Sequence, residues 1–334
     1  MRSRELARVA SLRARFALPV ADGTEQGIRV GIGDDAAVLE AMGAGTAGAL
    51  VWTIDAQVEG THFRTSWVSW EDIGWRSFMA AASDLAAMSA EPTAALSALV
   101  LASSVDDEAL EAIARGQAAA SLAVGAPVVG GNLARGAETS ITTTLFGRAV
   151  RPVLRSGARA GDGLWLAGPV GLAKVGLSIL ERSVHHACIV EHADAAAGLE
   201  AWRRPIARIA QGRALASVAH AAIDVSDGLA HDAGQLATAS GVRVVLDVAA
   251  IIAAGGDALA AGARLLDGLP IDFALHGGED YALLAASADA LPGFVRIGTV
   301  EASDDGAYGG ARVVLRSASG AVEPIDPRGF DHFA

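Results

Sequence analysis

The chain has 334 residues, of which 52% are hydrophobic and 19% are charged, and its formal net charge is −12. This length predicts two soluble domains, and the acidic balance argues against nucleic acid as the main partner. No window supplies the roughly 18 uninterrupted apolar residues of a membrane span. The single cysteine, Cys188, excludes an intramolecular disulfide and is typical of a reducing cytoplasm. Lys174 is the only lysine and no G-x-x-x-x-G-K-[ST] motif is present, so a P-loop is excluded.

The first half of the chain predicts strands alternating with helices. The Arg-rich start, residues 1–20, favours an amphipathic helix over a transit peptide, because its apolar residues recur at helical spacing. A long helix is predicted to begin after Ser69, with Asp72 in a capping-box pattern, and a second helix is predicted to end at Gly125. Strands are predicted at "GIRVGI", "GALVWTID", "PTAALSALVLA", "APVVGGN" and "TSITTTLFGRAV".

A second unit is predicted to begin near residue 150, where turn residues precede a fresh strand in "GDGLWLAG". It continues with a helix at "GLAKVGLSILER", an exposed stretch around 184–200 and a helix at about 205–220. The stretches "AIDVSDGLAHDAGQLATAS", "VRVVLDV" and "FALHGGEDYALLAA" follow. The sequence therefore predicts a mixed α/β (α+β) protein with two domains, residues 1–150 and 151–334.

Polar residues gather at the predicted strand ends, which are the usual place for sites in α/β folds. Asp55 ends "VWTID", Asp224 ends "AID" and Asn132 ends "VVGGN", although each by itself is more typical of a turn or a helix cap. Asp84 is more informative, because it lies inside a predicted helix where an unpaired buried charge is costly. Either a break in the helix makes Ser83 or Asp84 an N-cap, or a cation binds there, and we favour the cation.

The stretch "GIGDDA", residues 31–36, matches the spacing of a dinucleotide-binding turn but carries Asp34 and Asp35. A Rossmann turn binds pyrophosphate directly, and carboxylates at that place would repel it. Mg²⁺ takes oxygen ligands, commonly carboxylates together with substrate phosphates. The acidic turn therefore favours a site in which several metal ions lie between carboxylates and a polyphosphate.

Seven motifs occur in order between residues 31 and 333: "GIGDDAAVL", "TIDAQVEGTHF", "SDLAAMSAEP", "VGGNLARG", "AIDVSDGLAHD", "HGGEDYALL" and "GFDHF". Together they closely resemble the thiamine-monophosphate kinase family of the aminoimidazole ribonucleotide synthetase superfamily. The resemblance implies a cytoplasmic phosphotransferase that moves the γ-phosphoryl group of ATP directly onto thiamine monophosphate, giving thiamine diphosphate. It also implies an N-terminal ATP- and Mg²⁺-binding domain whose strands form a barrel across a homodimer, a C-terminal α/β domain, and ATP in the cleft between them.

The resemblance also implies roles for individual residues, in a chemistry that needs positioning and charge neutralisation rather than a covalent nucleophile. The implied catalytic carboxylates are Asp55, Asp84 and Asp224. The implied Mg²⁺ ligands are Asp35, Thr53, Ile54 (through its backbone carbonyl), Asp55, Asp84, Asn132, Asp224 and Asp227. The implied ATP contacts are Gly131, Asn132, Arg155 and Ser226, and the thiamine phosphate contacts are His62, Glu279 and Phe330.

Other interpretations stay open at this point. His62 could be a core histidine, Glu279 could cap the next helix, and Phe330 could be a terminal aromatic plug instead of a stacking face for a cationic ring. The family's usual Gly-Gly-Asp-Thr-Thr-Arg reads "GGNLAR" here, so Asn132 keeps an oxygen but loses the charge. The alternatives for the whole protein are another ATP-dependent enzyme of the superfamily with a different acceptor, or a non-catalytic nucleotide-binding dimer. An NAD-dependent oxidoreductase is a more distant alternative.

Overall fold

A computed structural model describes residues 28–30, 33–40, 48–303 and 307–330. The predicted N-terminal helix and the last residues of "GFDHF" lie outside these ranges. The strands are β1 (Ile28–Val30), β2 (Ala37–Glu40), β3 (Ala49–Val58), β4 (Glu91–Leu101), β5 (Val128–Arg135), β6 (Ser140–Ala149), β7 (Gly163–Ala167), β8 (Ala221–Val225), β9 (Val242–Asp247), β10 (Ala282–Ser287), β11 (Val295–Ala302), β12 (Val313–Arg316) and β13 (Val322–Pro324). The α-helices are α1 (Trp70–Ala87), α2 (Asp107–Val124), α3 (Leu172–Ser183), α4 (Ala196–Arg203), α5 (Ile209–Leu215), α6 (Leu229–Ser240), α7 (Val248–Leu265) and α8 (Pro270–His276).

The first sheet has six strands in the order β1-β2-β3-β6-β4-β5. Its pairs are antiparallel except for β4 and β5, which are parallel. Helix α1 packs on one face, called the inner face, where Val51, Phe78 and Leu145 belong to one buried cluster. The opposite or outer face is open: Trp52 is 53% exposed and Ile54 is 67% exposed. Within the described part of the chain, a helix thus covers one face of this sheet and leaves the other uncovered.

The second sheet has seven strands in the order β13-β12-β9-β11-β7-β10-β8. Its pairs are antiparallel except for β9 and β12. Helix α7 is the one described helix that is long and apolar enough to cross a membrane by composition alone. Five of its residues are buried, it packs on β9 and β11, and it is interrupted at Gly256. It is an apolar helix lying against the second sheet.

The predicted helix boundaries of the first half are confirmed. The Ser69 side chain accepts a hydrogen bond from the Asp72 backbone N–H at the start of α1, and Gly125 ends α2 in the left-handed conformation with φ 81°. Helix α1 is continuous through Asp84, so no helix break makes that residue an N-cap. In the second half the helix predicted at 205–220 is shorter, because the chain leaves the helical path after Leu215 in a tight turn before β8.

The prediction that strands end at Asp55 and Asn132 is wrong. Strand β3 continues to Val58 and β5 continues to Arg135, because both keep pairing with β6 and β4 beyond those residues. Asp224 is the next-to-last residue of β8, so for this residue the prediction is accurate within one position. The polar residues therefore line strand interiors as well as strand ends.

Candidate active site

Three carboxylates meet between the two sheets. Asp35 lies in the turn before β2, Asp84 in α1 and Asp224 in β8, and one oxygen from each can be chosen so that all lie within 4.8 Å of one another. Helix α1 brings them together because it packs on β3 and β6 of the first sheet and on β8 and β10 of the second. We call these three residues the acidic cluster.

Burial and mutual repulsion disfavour the charged forms of the acidic cluster. Burial raises the pKa of Asp84 well above its usual range, and the charges of Asp224 and Asp35 add to the effect. Burial also raises the pKa of Asp35, against the opposing influence of Arg155, and raises the pKa of Asp224 to about 7. One Asp35 oxygen, Oδ2, is buried without a hydrogen-bond partner. A set of hard oxygen donors that carries excess negative charge and includes an oxygen without a hydrogen-bond donor fits a divalent cation.

Strand β3 presents a row of polar side chains on the inner face of the first sheet. Thr53, Asp55 and Gln57 alternate with outward residues, as the period of two in a strand requires. The Thr53 hydroxyl donates a hydrogen bond to Asp84, and Gln57 Nε2 donates to Asp55 Oδ1 at 3.1 Å. Ile54 points to the outer face, so only its backbone can take part in the site.

Arg155 is the cation beside the acidic cluster. Its Nη2 contacts Asp35 Oδ1 at 2.5 Å, its Nε lies 3.6 Å from Asp34 Oδ1, and its backbone N–H lies 3.4 Å from the same carboxylate. Burial lowers the pKa of Arg155, but the negative charges of Asp35 and Asp34 raise it, and the net result is a raised pKa. The acidic turn of "GIGDDA" is therefore neutralised in part by an arginine from the other half of the chain.

A second group of polar residues forms the turn between β8 and α6. Asp232 Oδ2 accepts backbone N–H groups of Ser226, Asp227 and Gly228, each at 3.1 Å. His231 Nδ1 lies 3.2 Å from Asp232 Oδ1 and 3.6 Å from Asp227 Oδ2. Asp232 thus holds the turn that carries two of the predicted site residues, Ser226 and Asp227.

A cavity of about 420 Å³ is lined in part by Asp55, whose charge acts on Asp84 of the acidic cluster. All three predicted thiamine phosphate contacts, His62, Glu279 and Phe330, line it. Asp55, Ser226 and Asp227 line it too, so the cavity borders the predicted metal ligands. Its wall includes Trp67 and Trp202, whose rings meet edge to face with centroids 6.4 Å apart.

The alternative interpretation of Glu279 as a helix cap is wrong, because the element that follows is strand β10. Arg76 Nη2 contacts Glu279 Oε1 at 2.6 Å, and Trp202 Nε1 donates to Oε2 at 2.7 Å. His62 is only partly buried, and its Nδ1 accepts the Val58 backbone N–H at 3.1 Å. It is therefore a cavity-wall residue instead of a core histidine.

Gly131 and Asn132 are not brought to the acidic cluster within one chain. Across the sheet, Asn132 pairs with Ala98, Ala98 with Thr142, and Thr142 with Ala56, so Asn132 shares the outer face with Ala56. Asp55 faces the other way. Three strand spacings of about 4.8 Å, or roughly 14 Å, separate its strand β3 from strand β5, which carries Asn132. Ligands lie about 2.1 Å from a Mg²⁺ ion, so Asp55 and Asn132 of one chain cannot share one.

Sequence reasoning missed four residues of this site: Arg76, Trp202, Asp232 and Gln57. For Arg76 the signal was available, since it is a charge inside the same apolar helix as Asp84, the very argument that singled out Asp84. Asp232 belongs to "SDGLAHD", but its role in holding a turn depends on how that turn folds. Trp202 carried no signal, because nothing local relates residue 202 to residues 76 and 279.

The first half of the chain matches the sequence model of the AIR synthase related protein N-terminal domain over residues 33–149. The same class of fold is found in a solved structure of AaThiL complexed with AMPPCP and TMP, which superposes with a TM-score of 0.83 at 28% identity and covers 100% of this chain and 99% of that chain. The expected mixed α/β, aminoimidazole ribonucleotide synthetase-like fold is confirmed.

Similarity to curated proteins is more specific. The chain is 32% identical to thiamine-monophosphate kinase of Salmonella typhimurium, over 92% of this chain and 93% of that protein. It is 35% identical to thiamine-monophosphate kinase of Mycobacterium tuberculosis, over 82% and 79% of the two chains. The chain belongs to the thiamine-monophosphate kinase family.

Proposed function

We propose that the protein transfers the γ-phosphoryl group of ATP to thiamine monophosphate, giving thiamine diphosphate and ADP. The observation that carries this proposal is the junction of two sites at Asp55. This residue lines the cavity that holds His62, Glu279 and Phe330, and its charge acts on Asp84 of the acidic cluster. A phosphoryl donor held at the cluster would thus adjoin an acceptor held in the cavity.

The reaction needs little covalent chemistry from the protein. An oxygen of the acceptor's phosphate attacks the γ-phosphorus of ATP, the bond from that phosphorus to the β–γ bridging oxygen breaks, and ADP leaves with the electron pair. A phosphate monoester loses its second proton near pH 6, so its oxygen is already a nucleophile at neutral pH. The remaining task is to hold two anions in line and to neutralise their charge.

The acidic cluster, together with Thr53, Ile54, Asp55 and Asp227, would hold several Mg²⁺ ions. When bound, these ions would offset the negative charge of the triphosphate. The fit rests on the raised pKa values of the cluster and on the unpaired Oδ2 of Asp35. Arg155 and Ser226 would contact ATP, with Arg155 already placed beside Asp35.

The cavity suits a cationic aromatic acceptor. Trp67, Trp202 and Phe330 line it, and the face of an aromatic ring attracts a cationic ring. Glu279 offers a carboxylate to an N–H donor or a positive charge, while His62 lies at the end nearer β3. Thiamine monophosphate combines these features, because it has an aminopyrimidine, a positively charged thiazolium and a phosphate.

The active form is a homodimer joined through the outer face of the first sheet. Trp52, Ile54, Leu96 and Val129 are exposed there, a larger apolar set than a monomer's surface usually leaves open. Asn132 lies on the same face, so its predicted contacts with ATP and metal would form across the dimer. A barrel made of the strands of two copies would also cover the free edge of β5.

Two further proposals complete this function. Residues 1–150 and 151–334 form two domains, in keeping with the division of the strands into one sheet up to Ala149 and another from Gly163. The enzyme works in the cytoplasm, in keeping with a single cysteine in the chain.

The test is a product assay with purified protein, ATP, Mg²⁺ and, separately, thiamine, thiamine monophosphate and thiamine diphosphate. Thiamine monophosphate is expected to give equimolar thiamine diphosphate and ADP by chromatography, and EDTA is expected to stop the reaction. Release of ADP without thiamine diphosphate, or phosphorylation of a different acceptor alone, would overturn the proposal.

A further inference from the structure

Both carboxylate oxygens of Glu279 are held by donors from distant parts of the chain. Arg76 Nη2 lies 2.6 Å from Oε1, and Trp202 Nε1 donates to Oε2 at 2.7 Å. Arg76 is itself held by Trp202: its Nη1 donates to the Trp202 carbonyl, and its guanidinium lies 4.3 Å from the centroid of the indole ring. We call these three residues the Glu279 clamp.

The backbone that carries Glu279 is also held. Glu279 has φ 63°, in the left-handed region that non-glycine residues seldom occupy, and its N–H donates to the Ser226 carbonyl at 2.7 Å. A Cβ on the preceding Gly278 would lie 2.5 Å from that same carbonyl oxygen, so the loop is pressed against the end of β8. With the backbone restrained, the direction of the carboxylate depends on its two donors.

The two donors differ in their access to the cavity. Arg76 is 2% exposed and does not line the cavity, so it can act on a bound molecule only through the residues that it contacts, such as Glu279 and Trp202. Trp202 lines the cavity with its ring while its indole N–H is directed at Glu279. Each carboxylate oxygen has a second lone pair, so Glu279 can still accept a hydrogen bond from a ligand.

We propose that Arg76 and Trp202 are positioning residues for acceptor recognition, which fix Glu279 so that its free lone pairs meet an N–H donor on a heterocyclic cation. The inference rests on the proposed function, in which thiamine monophosphate occupies this cavity. Its exocyclic amine is the donor that such a carboxylate selects. A preorganised carboxylate loses less rotamer freedom on binding and so binds more tightly.

The decisive variant is Trp202→Phe, which keeps an aromatic ring but removes the one donor to Oε2. KM for thiamine monophosphate is expected to rise about tenfold, the cost of losing a hydrogen bond to a charged group. The kcat and the KM for ATP are expected to stay within about twofold, because only acceptor binding is weakened. Trp165→Phe is the matched control: it removes an indole donor that bonds the Ser287 carbonyl at 3.2 Å, away from the cavity.

A double-mutant cycle separates action through Glu279 from a structural role. Glu279→Gln is expected to raise the acceptor KM, and adding Trp202→Phe to it is expected to cause little further rise. Arg76→Lys keeps the positive charge but not the planar guanidinium. The acceptor KM of this variant is expected to lie between those of wild type and Glu279→Gln. Additive effects of Trp202→Phe and Glu279→Gln, or an equal effect of Trp165→Phe, would overturn the proposal.

The outcome also separates this inference from the proposed function. If wild type makes thiamine diphosphate but Trp202→Phe leaves the acceptor KM unchanged, the clamp is rejected and the function stands. If wild type makes no thiamine diphosphate, the proposed function and the acceptor role of the clamp both fall. The same cycle measured by urea unfolding without ligand then reports whether the clamp serves stability alone.

Discussion

At the scale of single residues, Asp84 shows how a buried charge can mark a site. Its carboxylate lies inside a continuous helix, against Asp35 and Asp224, with one hydrogen bond from Thr53. Among the described residues, Arg155 is a cation whose charge lowers the pKa of Asp35 and Asp224, and hydrogen bonds from Thr53 and Ser83 lower those of Asp84 and Asp224. Burial still leaves all three pKa values raised, an arrangement that fits a ligand bringing positive charge.

The first prediction concerns Asp84→Asn. The variant should lose roughly tenfold to a thousandfold in turnover, on the scale of lost metal-site and charge-stabilising groups. In the absence of Mg²⁺ its free energy of unfolding should be higher than that of wild type, because one of three repelling groups is neutral. Urea unfolding and steady-state kinetics measure both. Asp257→Asn, an exposed position on α7, is the control; normal turnover of Asp84→Asn at limiting Mg²⁺ would contradict the metal assignment.

The second prediction concerns pH and Asp280. Burial raises the pKa of Asp280 to about 7, although the backbone N–H groups of Gly171 and Ala173 donate to its oxygens. In the unfolded chain this carboxyl titrates near its ordinary pKa of about 3.9. Between these values the folded chain binds the proton more tightly, so the free energy of unfolding falls as the pH rises from about 4 to 7.

The contribution of Asp280 is isolated by comparison with Asp280→Asn, which keeps one acceptor oxygen and does not titrate. As the pH rises, the free energy of unfolding of wild type should fall relative to that of the variant, by at most about 1.4 kcal/mol per pH unit. Urea unfolding of both proteins at several pH values between roughly 4.5 and 7.5 gives this difference, because that range covers most of the interval between the unfolded and folded pKa values of Asp280. A difference that does not change with pH would show that Asp280 is ionised throughout.

At the scale of elements, helix α1 connects the two parts of the site. It carries Arg76, which holds Glu279 in the cavity, and Asp84, which belongs to the acidic cluster. These positions are eight residues apart, or about 12 Å along the helix axis. The placement of α1 therefore sets the distance between the cavity and the acidic cluster.

Helix α1 is placed in part by its close crossing with α2, which the third prediction tests. A Cβ on Gly116 would lie 1.8 Å from the Glu71 carbonyl oxygen, and one on Gly74 would lie 2.1 Å from the Ile113 carbonyl oxygen. Gly116→Ala must push the helices apart and should lower the free energy of unfolding by about 1–3 kcal/mol. Glu111→Ala, exposed on the same helix, should change it by less than about 0.5 kcal/mol. Equal stability of Gly116→Ala and wild type in urea would contradict the crossing.

At the scale of the whole molecule, the open outer face of the first sheet is the surface on which the proposed dimer would form. A sheet with one face covered and the other apolar and exposed is incomplete as a monomer. The proposed dimer covers that face and gives Asn132 a site to act in. In the proposed dimer, the same sheet would link oligomeric state to catalysis.

The fourth prediction tests this dimer. Sedimentation equilibrium should give a mass near twice 33.7 kDa for wild type. Leu96→Glu places a charge on the outer face, because Leu96 pairs with Thr144 and Thr144 with Ile54, and its native side chain is 45% exposed. This variant should shift the mass toward the monomer and lower turnover. Leu269→Glu changes a leucine outside the first sheet that is 63% exposed and should remain dimeric. A fully active wild-type monomer would contradict the proposal.

The sequence by itself determined the helices with clear caps, the mixed α/β class and most of the site. Ser69 and Gly125 form hydrogen bonds to residues a few positions away, so these helix ends can be predicted from the local sequence. Asp84 could be singled out for a different reason, since a charge in an apolar helix needs compensation wherever the helix lies. The ordered motifs then implied which carboxylates and cavity residues belong together, and the structure places Asp35 with Asp84 and Asp224, and His62 with Glu279 and Phe330.

Only the tertiary structure decided which face of a strand each residue occupies and which distant groups meet. Asn132 was assigned to the site of Asp55, but strand order and register put it on the opposite face of the first sheet. Arg76 and Glu279 are 203 residues apart, and their contact exists because α1 lies between the two sheets. Such contacts depend on packing over the whole chain, and no local pattern of residue types encodes them.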